Sequence, residues 1–451
     1  MKILIRGAGD LATGIASRLY GAGHQILMTE IEVPLTVRRT VALSRAVYEG
    51  SARVEEMLGV LVKDQADAEQ TMAEGDIAVM VDETASCREW FRPDVIVDAI
   101  LAKRNLGTKI TDAPFVIGVG PGFTAGADCN CVVETKRGHT LGNIIRRGSA
   151  IPNTGVPGNV AGYTIERLIR AGADGILEPR AQIGDYVEKG SVVAVTGGVP
   201  VYAQMSGIVR GMLQAGVQVN KNLKIGDIDA RAEVSHCYTI SDKARAIGGG
   251  VLEAAAAFER MKDQFAIVIL AAGAGTRFGG NKLNALVKNR PLYEYTLDRV
   301  QAFGSFPAFI VTGSEEIAQE AEKRGITPVW NKEPERGISL SLTLGLKKAL
   351  EYRPDLKGVM FSVCDQPGLD TSTMQQIFCT AYLHPGSIVC AGNSGRTGNP
   401  VCWDENFFPE LLALTGDEGG RQIMRKYKEK VRIVQVDPEE LKDIDRREDL
   451  R

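Results

Sequence analysis

The residue pattern with the clearest chemical meaning lies in the middle of the chain, where an apolar run leads into a glycine-rich turn. Phe265–Leu270 is apolar, and from Leu270 to Lys282 the sequence reads L-A-A-G-A-G-T-R-F-G-G-N-K. Glycines let backbone N–H groups approach phosphates, and Arg277 and Lys282 can neutralise phosphate charge. The pattern predicts a triphosphate cradle; the alternative is a tight strand-to-helix turn with solvent-facing cations. The predicted nucleotide contacts are Leu270, Ala271, Ala272, Gly273 and Gly275.

A single carboxylate follows a second apolar run in the same half of the chain. Residues 359–367 read V-M-F-S-V-C-D-Q-P, so Asp365 stands at the carboxyl end of a predicted buried strand. Ligands of α/β sheets bind at that end of the strands. We therefore expect Asp365 to be a magnesium ligand, and the alternative is a structural capping residue.

Further candidate binding elements combine glycine with polar side chains. Gly337, Ser339 and Ser341 open a predicted helix and could contact a nucleotide, or they could form a simple N-cap. Two loops, Gly395–Pro400 with Asn399 and Gly416–Arg421, have the composition of binding loops, although surface turns look the same.

Together, the motifs of residues 265–451 resemble the molybdenum cofactor cytidylyltransferase family, within the wider nucleotidyltransferase fold. The resemblance rests on L-A-A-G-x-x-x-R-x-G-x-x-K-L, C-D-Q-P, G-N-P-V, G-D-x-G-x-R and a terminal D-I-D. It implies that CTP and molybdenum-molybdopterin react with Mg²⁺ to give the cytosine dinucleotide cofactor and pyrophosphate. The attacking pterin phosphate is already anionic, so charge neutralisation by Arg277, Lys282 and a metal on Asp365 would suffice without a general base.

Some positions keep other substrates open. Gly275 and Phe278 replace the serine and methionine usual in that family, and A-A-G-x-G-x-R also resembles enzymes that attach CTP to isoprenoid-precursor or sugar-type phosphates. The related guanylyltransferase carries L-A-G-G, so Ala272 favours cytidine. The alternatives are a cytidylyltransferase for another phosphorylated metabolite and a non-catalytic protein that holds and delivers the cofactor.

The N-terminus carries a second nucleotide-type pattern. Ile3–Ala12 fits G-x-G-x-x-G/A after a strand, with Gly7 and Gly9 in the turn, and Glu30 ends the next predicted strand. This spacing suits a ribose contact in an NAD(P) site. Asp10 argues against it, since a carboxylate at the helix N-terminus would repel pyrophosphate. A Rossmann-like fold without the usual cofactor is the favoured interpretation.

Another glycine-rich loop, Gly118–Cys131, ends in a C-x-C pair. Cys129 and Cys131 could bind a soft metal or a chalcogen species, with nearby cations lowering a thiol pKa, or they could be two small buried residues. A third loop, Pro152–Asn159, precedes a predicted helix at Val160–Ala171. With G-A-G-D-L-A-x-G, P-G-F-x-A-G-x-D-C and P-N-T-G-x-P-G, residues 1–260 resemble the YqeB-type accessory family of selenium-dependent molybdenum hydroxylase systems. The resemblance implies a role in maturing an apo-hydroxylase and assigns no catalytic residue.

The elements that must position these residues divide the chain into α/β segments around a β-rich insert. We predict a Rossmann-like domain at 1–172, a small all-β biotinyl/lipoyl-like barrel at 173–232, a connector with an Ala-rich helix at 233–263, and a Rossmann-like nucleotidyltransferase domain at 264–451. Thr196–Pro200, at the predicted hairpin tip of the barrel, has no lysine to carry a cofactor. A swinging-arm role is therefore not expected.

Composition excludes several classes of protein. The 451 residues carry a formal net charge of −3, which argues against a nucleic-acid-binding surface spread over the molecule. No apolar run approaches the ~18 residues of a membrane helix. The eight cysteines are scattered, which predicts a reducing, cytoplasmic location rather than a disulfide framework.

Overall fold

The structure is a computed structural model that describes residues 1–153, 155, 162–273, 278–303 and 306–450. The chain divides into two compact units, Met1–Ala255 and Ala256–Arg451. Within the described residues, no helix is long and apolar enough to span a bilayer.

The first unit begins with a mainly parallel sheet in the order β3-β4-β5-β2-β1-β6-β7-β8-β9, in which β3 and β9 run antiparallel to their neighbours. Its strands are β1 (Lys2–Arg6), β2 (Gln25–Glu30), β3 (Ser51–Val54), β4 (Met57–Val62), β5 (Ile77–Val81), β6 (Val95–Asp98), β7 (Phe115–Val119), β8 (Cys131–Val133) and β9 (Ile144–Ile145). Its helices are α1 (Asp10–Gly21), α2 (Ala46–Glu49), α3 (Gln65–Ala73) and α4 (Arg88–Phe91). The central strands are apolar and buried because a parallel sheet is covered on both faces. The chain leaves β1 towards β2 on one side and returns to β6 on the other, so a switch point lies at the carboxyl end of β1.

Two small antiparallel sheets follow, in the orders β10-β17-β15-β12 and β14-β13-β11-β16, around a shared apolar core. Their strands are β10 (Leu168–Arg170), β11 (Gly175–Pro179), β12 (Tyr186–Val187), β13 (Val192–Thr196), β14 (Val199–Tyr202), β15 (Gly207–Met212), β16 (Gln218–Val219) and β17 (Lys224–Asp229). Helix α5 (Asp242–Gln264) contains the predicted Ala-rich helix and leads into the second unit.

The second unit is built on a mixed sheet in the order β22-β21-β18-β23-β25-β24-β26. The strands are β18 (Phe265–Ala271), β21 (Ala308–Thr312), β22 (Thr327–Trp330), β23 (Gly358–Val363), β24 (Ile388–Asn393), β25 (Arg396–Asp404) and β26 (Val431–Gln435), beside a short hairpin of β19 (Leu286–Val287) and β20 (Arg290–Pro291). The helices are α6 (Leu292–Phe303), α7 (Glu315–Glu322), α8 (Ile338–Tyr352), α9 (Thr371–Leu383), α10 (Phe408–Leu412) and α11 (Arg421–Lys426). Strand β18 pairs in parallel with β21 and with β23, so this sheet has its own switch point between β18 and β23.

The α/β class with a β insert is confirmed, and one predicted element is wrong. Residues 162–171 contain no helix; Leu168–Arg170 is instead β10, which pairs antiparallel with β17. Leu168 and Ile169 are buried there, so their backbone N–H and C=O groups need hydrogen-bond partners. Pairing with β17 at the edge of the sheet provides these partners. Val160 and Ala161, at the start of the predicted helix, lie outside the described residues.

Candidate active site

The predicted phosphate cradle begins at the carboxyl end of β18. Leu270 pairs with Val311 and Val363 of the neighbouring strands, Ala271 is buried, and Gly273 is exposed. Ala272 is half-buried between them. Gly275 and Arg277 lie outside the described residues, so their roles stay predictions.

Lys282 joins two carboxylates that are far apart in the sequence. Its ammonium nitrogen lies 2.8 Å from Asp365 Oδ2 and 2.9 Å from Asp445 Oδ1. Although partial burial opposes the effect, the hydrogen bonds to both acids raise the pKa of Lys282. Lys282 and Asp365, two of the predicted site residues, are thus in contact, and their proposed roles stay predictions. Asp445 was missed, and the terminal D-I-D motif was the signal that could have found it.

Asp365 offers an oxygen that has no hydrogen-bond partner among the described residues. Its Oδ2 accepts the bond from Lys282, whereas Oδ1 is buried with no hydrogen-bond donor. A buried, unpaired carboxylate oxygen is costly unless a cation or donor binds to it. A hard divalent cation such as Mg²⁺ fits this position, because it prefers carboxylate oxygens.

Asp445 is the second carboxylate that could hold such a cation. The described residues contain no group of three or more His, Cys, Asp or Glu side chains arranged for a metal. Asp365 and Asp445 would therefore leave the other coordination positions to water and phosphate oxygens, which is usual for Mg²⁺.

The C-terminal segment that carries Asp445 is hydrogen-bonded to the Asp365 loop. The backbone N–H of Ile444 donates to the carbonyl oxygen of Asp365 at 2.9 Å, and Gln366 Nε2 donates to Asp443 Oδ1 at 2.9 Å. Burial, and then the negative charge of Asp365, raise the pKa of Asp443. Ile444 also packs with Phe278 in a small apolar cluster. Phe278, a departure from the family pattern, thus helps to anchor this segment.

Helix α6 fixes the other side of the Asp365 loop. Thr296 Oγ1 donates to the carbonyl of Val363 at 3.2 Å, and Arg299 Nη2 donates to the carbonyl of Pro367 at 3.1 Å. Arg299 is buried, and this burial lowers its pKa to about 10. The loop is therefore held through its backbone carbonyls, while the Asp365 side chain is engaged with Lys282 in the site.

The predicted helix-opening residues have a different partner from the one expected. Ser339 donates to the carbonyl oxygen of Gly416 through both Oγ (2.7 Å) and backbone N–H (3.2 Å), and it does not cap α8. Gly337 precedes α8 with φ +91°, and a Cβ there would lie 2.3 Å from the Gly416 oxygen. The helix-opening segment at Gly337 and Ser339 is therefore joined to the predicted Gly416–Arg421 loop. Ser341 is buried and accepts a hydrogen bond from Asn331.

Asn399 lies in β25, half-buried. Val401 of this strand pairs with Phe361 of β23, so Asn399, two residues earlier, reaches the carboxyl end of β23. This is the same edge of the sheet as Asp365.

In the N-terminal unit, the predicted ribose contact lies against the glycine-rich turn. Glu30 Oε2 accepts the backbone N–H of Ala8, and Oε1 accepts that of Ile31, each at 3.0 Å. Gly7 has φ +94°, and a Cβ there would lie 3.0 Å from the carbonyl oxygen of Ala99. Gly9 precedes α1, in the N-cap position.

The C-x-C pair does not provide an activated thiol at Cys129. Cys129 and Cys131 are both buried, and burial raises the pKa of Cys129 to about 12. The suggestion that nearby cations lower this pKa is therefore wrong for Cys129, because loss of solvent raises the pKa and the charges of Asp128 and Asp98 raise it further.

Comparison with known proteins finds relatives for both halves of the chain. Residues 267–431 match the model of the MobA-like NTP transferase domain. The protein YqeB of Escherichia coli K12 is 50% identical over 252 residues, which cover 56% of this chain and 47% of YqeB. The chain thus spans about half the length of that relative.

Two further relatives align over shorter stretches. The purine catabolism protein PucB of Bacillus subtilis 168 is 26% identical over 168 residues, covering 35% of this chain and 79% of PucB. A protein of Thermococcus gammatolerans described as probable molybdenum cofactor guanylyltransferase is 34% identical over 80 residues, covering 17% of this chain and 42% of that protein. The chain therefore carries a MobA-like NTP transferase domain in its C-terminal region, behind an N-terminal half homologous to YqeB.

Proposed function

We propose that the C-terminal domain transfers a cytidylyl group from CTP to the terminal phosphate of molybdenum-molybdopterin. The products are molybdopterin cytosine dinucleotide and pyrophosphate. The observation that carries the proposal is the bridge from Lys282 to Asp365 and Asp445 at the carboxyl end of β23. It lies beside a buried carboxylate oxygen that has no partner in the part of the chain that the structure describes.

The chemistry needs charge stabilisation rather than proton removal. An oxygen of the pterin phosphate attacks the α-phosphorus of CTP, and the bond from that phosphorus to the bridging oxygen breaks, releasing pyrophosphate. Lys282 and Arg277 would stabilise the negative charge that builds up on the transferred group and on the leaving group. Mg²⁺ held by Asp365 and Asp445 would supply Lewis-acid stabilisation of phosphate oxygens.

The choice of base and of acceptor is the finer part of the proposal. Ala272 in L-A-A-G supports CTP as the donor, since the related guanylyltransferase carries glycine at this position. One of the relatives is described as a guanylyltransferase, so GTP is the competitor to test. Transfer of CTP to another phosphorylated metabolite is the second candidate, because A-A-G-x-G-x-R also resembles such enzymes.

The N-terminal half would act with the same product, the molybdopterin cytosine dinucleotide cofactor. From the family resemblance of its motifs, we propose that this half takes part in maturing a molybdenum hydroxylase, with the apo-enzyme as partner. A protein that only stores and delivers finished cofactor is the non-catalytic alternative. It predicts that Asp365→Ala leaves maturation of the hydroxylase intact.

The deciding experiment measures pyrophosphate release by the full chain with Mg²⁺, each of the four nucleoside triphosphates, and molybdenum-molybdopterin or sugar phosphates as acceptors. We expect release with CTP and the pterin, and its loss in Asp365→Asn. Release with sugar phosphates but not with the pterin would overturn the proposed acceptor, and preference for GTP would overturn the proposed base.

A further inference from the structure

A cavity of about 870 Å³ opens at the switch point of the N-terminal sheet. It is lined by Arg6 and Gly7 at the end of β1, by Glu30 and Ile31 at the end of β2, and by the loops that follow β5 and β6. Ligands of open α/β sheets bind at this place. The proposed transfer at the C-terminal domain does not use this cavity.

Glu30 presents carboxylate oxygens that still have acceptor capacity. Each oxygen accepts one backbone N–H, from Ala8 or from Ile31, and a carboxylate oxygen has two acceptor positions. These bonds fix the side chain between the glycine-rich turn and the cavity. A carboxylate held at the end of the second strand of such a fold suits a pair of ribose hydroxyls.

Arg6 adds a buried donor to the cavity wall. It is 6% exposed, pairs with Asp98 at 3.2 Å and donates to Thr108. Its Nε is buried and has no hydrogen-bond partner among the described residues.

The place where a pyrophosphate would sit is filled by the chain itself. Asp10, the first residue of α1, receives two hydrogen bonds from Arg38 Nη1, at 3.1 and 3.0 Å. Arg38 Nη2 is held in turn by the carbonyls of His236 and Thr239. The backbone N–H of Ser44 also donates to the carbonyl of Ala8 at 2.8 Å, so this segment lies over the turn. The helix N-terminus therefore already has a carboxylate with its own counter-ion.

The charge of the cavity also disfavours phosphate. Among its described lining residues, Arg6, Arg88 and Lys109 are basic, whereas the acidic ones are Glu30, Asp82, Glu83, Glu89 and Asp112. Arg6 is already paired with Asp98. An excess of carboxylates repels phosphoryl groups and accepts neutral or cationic ligands.

We infer that this cavity binds a ribonucleoside that carries no phosphate, with Glu30 on the ribose 2′- and 3′-hydroxyls. The ligand is a neutral nucleoside or a nucleoside with a cationic 5′ substituent. Both share the ribose that Glu30 recognises and lack the phosphates that Asp10 and the acidic wall exclude.

The test is isothermal titration of the full chain with adenosine, guanosine, cytidine, uridine and S-adenosylmethionine, each as a separate arm. We expect at least one to bind with Kd below about 1 mM, and its 2′,3′-dideoxy counterpart to bind at least about tenfold more weakly. The 5′-diphosphate of the nucleoside that binds should bind this site no more tightly than the nucleoside itself. The same is expected of NAD.

Two variants separate this cavity from the C-terminal domain. Glu30→Gln should weaken binding at least about tenfold, whereas Glu32→Gln, an exposed acid outside the cavity, should not change it. The dideoxy comparison on the unaltered chain keeps the test valid if Glu30→Gln fails to fold. Absence of binding by all five probes, binding that is independent of Glu30, or tighter Glu30-dependent binding of NAD would overturn the inference.

Discussion

The ammonium of Lys282 lies 2.8 Å from Asp365 Oδ2, although 83 residues separate the two in the sequence. The glycine-rich turn after β18 and the loop after β23 thus converge because the two strands are parallel neighbours. Negative charge exceeds positive charge around this bond, because the one ammonium of Lys282 faces the carboxylates of Asp365, Asp445 and the nearby Asp443. The surplus of negative charge makes a cation site next to Lys282 physically reasonable.

Removing the charge of Asp445 should disable transfer. Asp445→Asn retains the shape of the side chain, but it loses the carboxylate shared by Lys282 and the proposed metal. We expect kcat/KM for pyrophosphate release to fall at least about a hundredfold, as for other charge-stabilising groups. Glu448→Gln, an exposed acid three residues later, is the control and should keep full activity. Equal activity of the two variants would remove Asp445 from the site.

Arg299 should act as a positioning residue for the Asp365 loop. Arg299→Met leaves the carbonyls of Gln366 and Pro367 without their donor, and we expect the free energy of unfolding to fall by about 1–3 kcal/mol. Because Asp365 would shift, kcat should fall and the Mg²⁺ concentration for half-maximal activity should rise. Arg425→Met, on the exposed face of α11, should alter neither quantity. A stability loss with an unchanged Mg²⁺ dependence would reduce Arg299 to a structural role.

The contact between Gly337 and Gly416 should make the first position intolerant of alanine. Gly337 has φ +91°, and its added Cβ would lie 2.3 Å from the carbonyl oxygen of Gly416. Gly325 has φ +73° with open space around it, so Gly325→Ala tests the backbone strain alone. We expect Gly325→Ala to cost about 1 kcal/mol and Gly337→Ala clearly more, with a raised KM for the nucleotide. If urea unfolding gave equal losses of unfolding free energy for the two variants, the Gly416 loop would move away from the added Cβ at no cost.

Sequence patterns located most of the α/β framework and part of the candidate site. The buried strand before Asp365 was predicted and is observed as β23, because a buried parallel strand is a short, continuous apolar run. The hydrogen bond from Lys282 to Asp445 could not be predicted in the same way. It depends on the tertiary position of a C-terminal segment that follows Lys282 by 163 residues. Similarly, the bond from Ser339 to Gly416 is tertiary, and the local pattern at Ser339 equally suits a cap. The predicted helix at 160–171 failed because pairing with β17, not local periodicity, decides the structure of Leu168–Arg170.

The buried acid Asp229 should govern part of the acid sensitivity of the N-terminal unit. It is 1% exposed and bonds to Arg231 at 2.6 Å and to Arg210 at 3.3 Å. Although burial opposes ionisation, these guanidinium groups hold the pKa of Asp229 below its ordinary value. A carboxyl whose pKa is lowered by folding stabilises the protein above its unfolded pKa of about 4, and this contribution is lost as the pH falls towards the folded value. Asp229→Asn should therefore lower the free energy of unfolding at pH 7 by about 3 kcal/mol, because it leaves the buried charge of Arg210 unpaired, whereas Arg231 is partly exposed and stays solvated.

The pH dependence of this variant separates the charge of Asp229 from its packing. In urea unfolding followed at pH 7, 5 and 3, the difference between the unaltered chain and Asp229→Asn should narrow as the pH falls, since protonation removes the same charge as the substitution. Glu188→Gln, an exposed acid of the same β-rich segment, should follow the unaltered chain throughout. A difference that stays constant from pH 7 to pH 3 would mean that the arginine contacts do not depend on the ionised carboxylate.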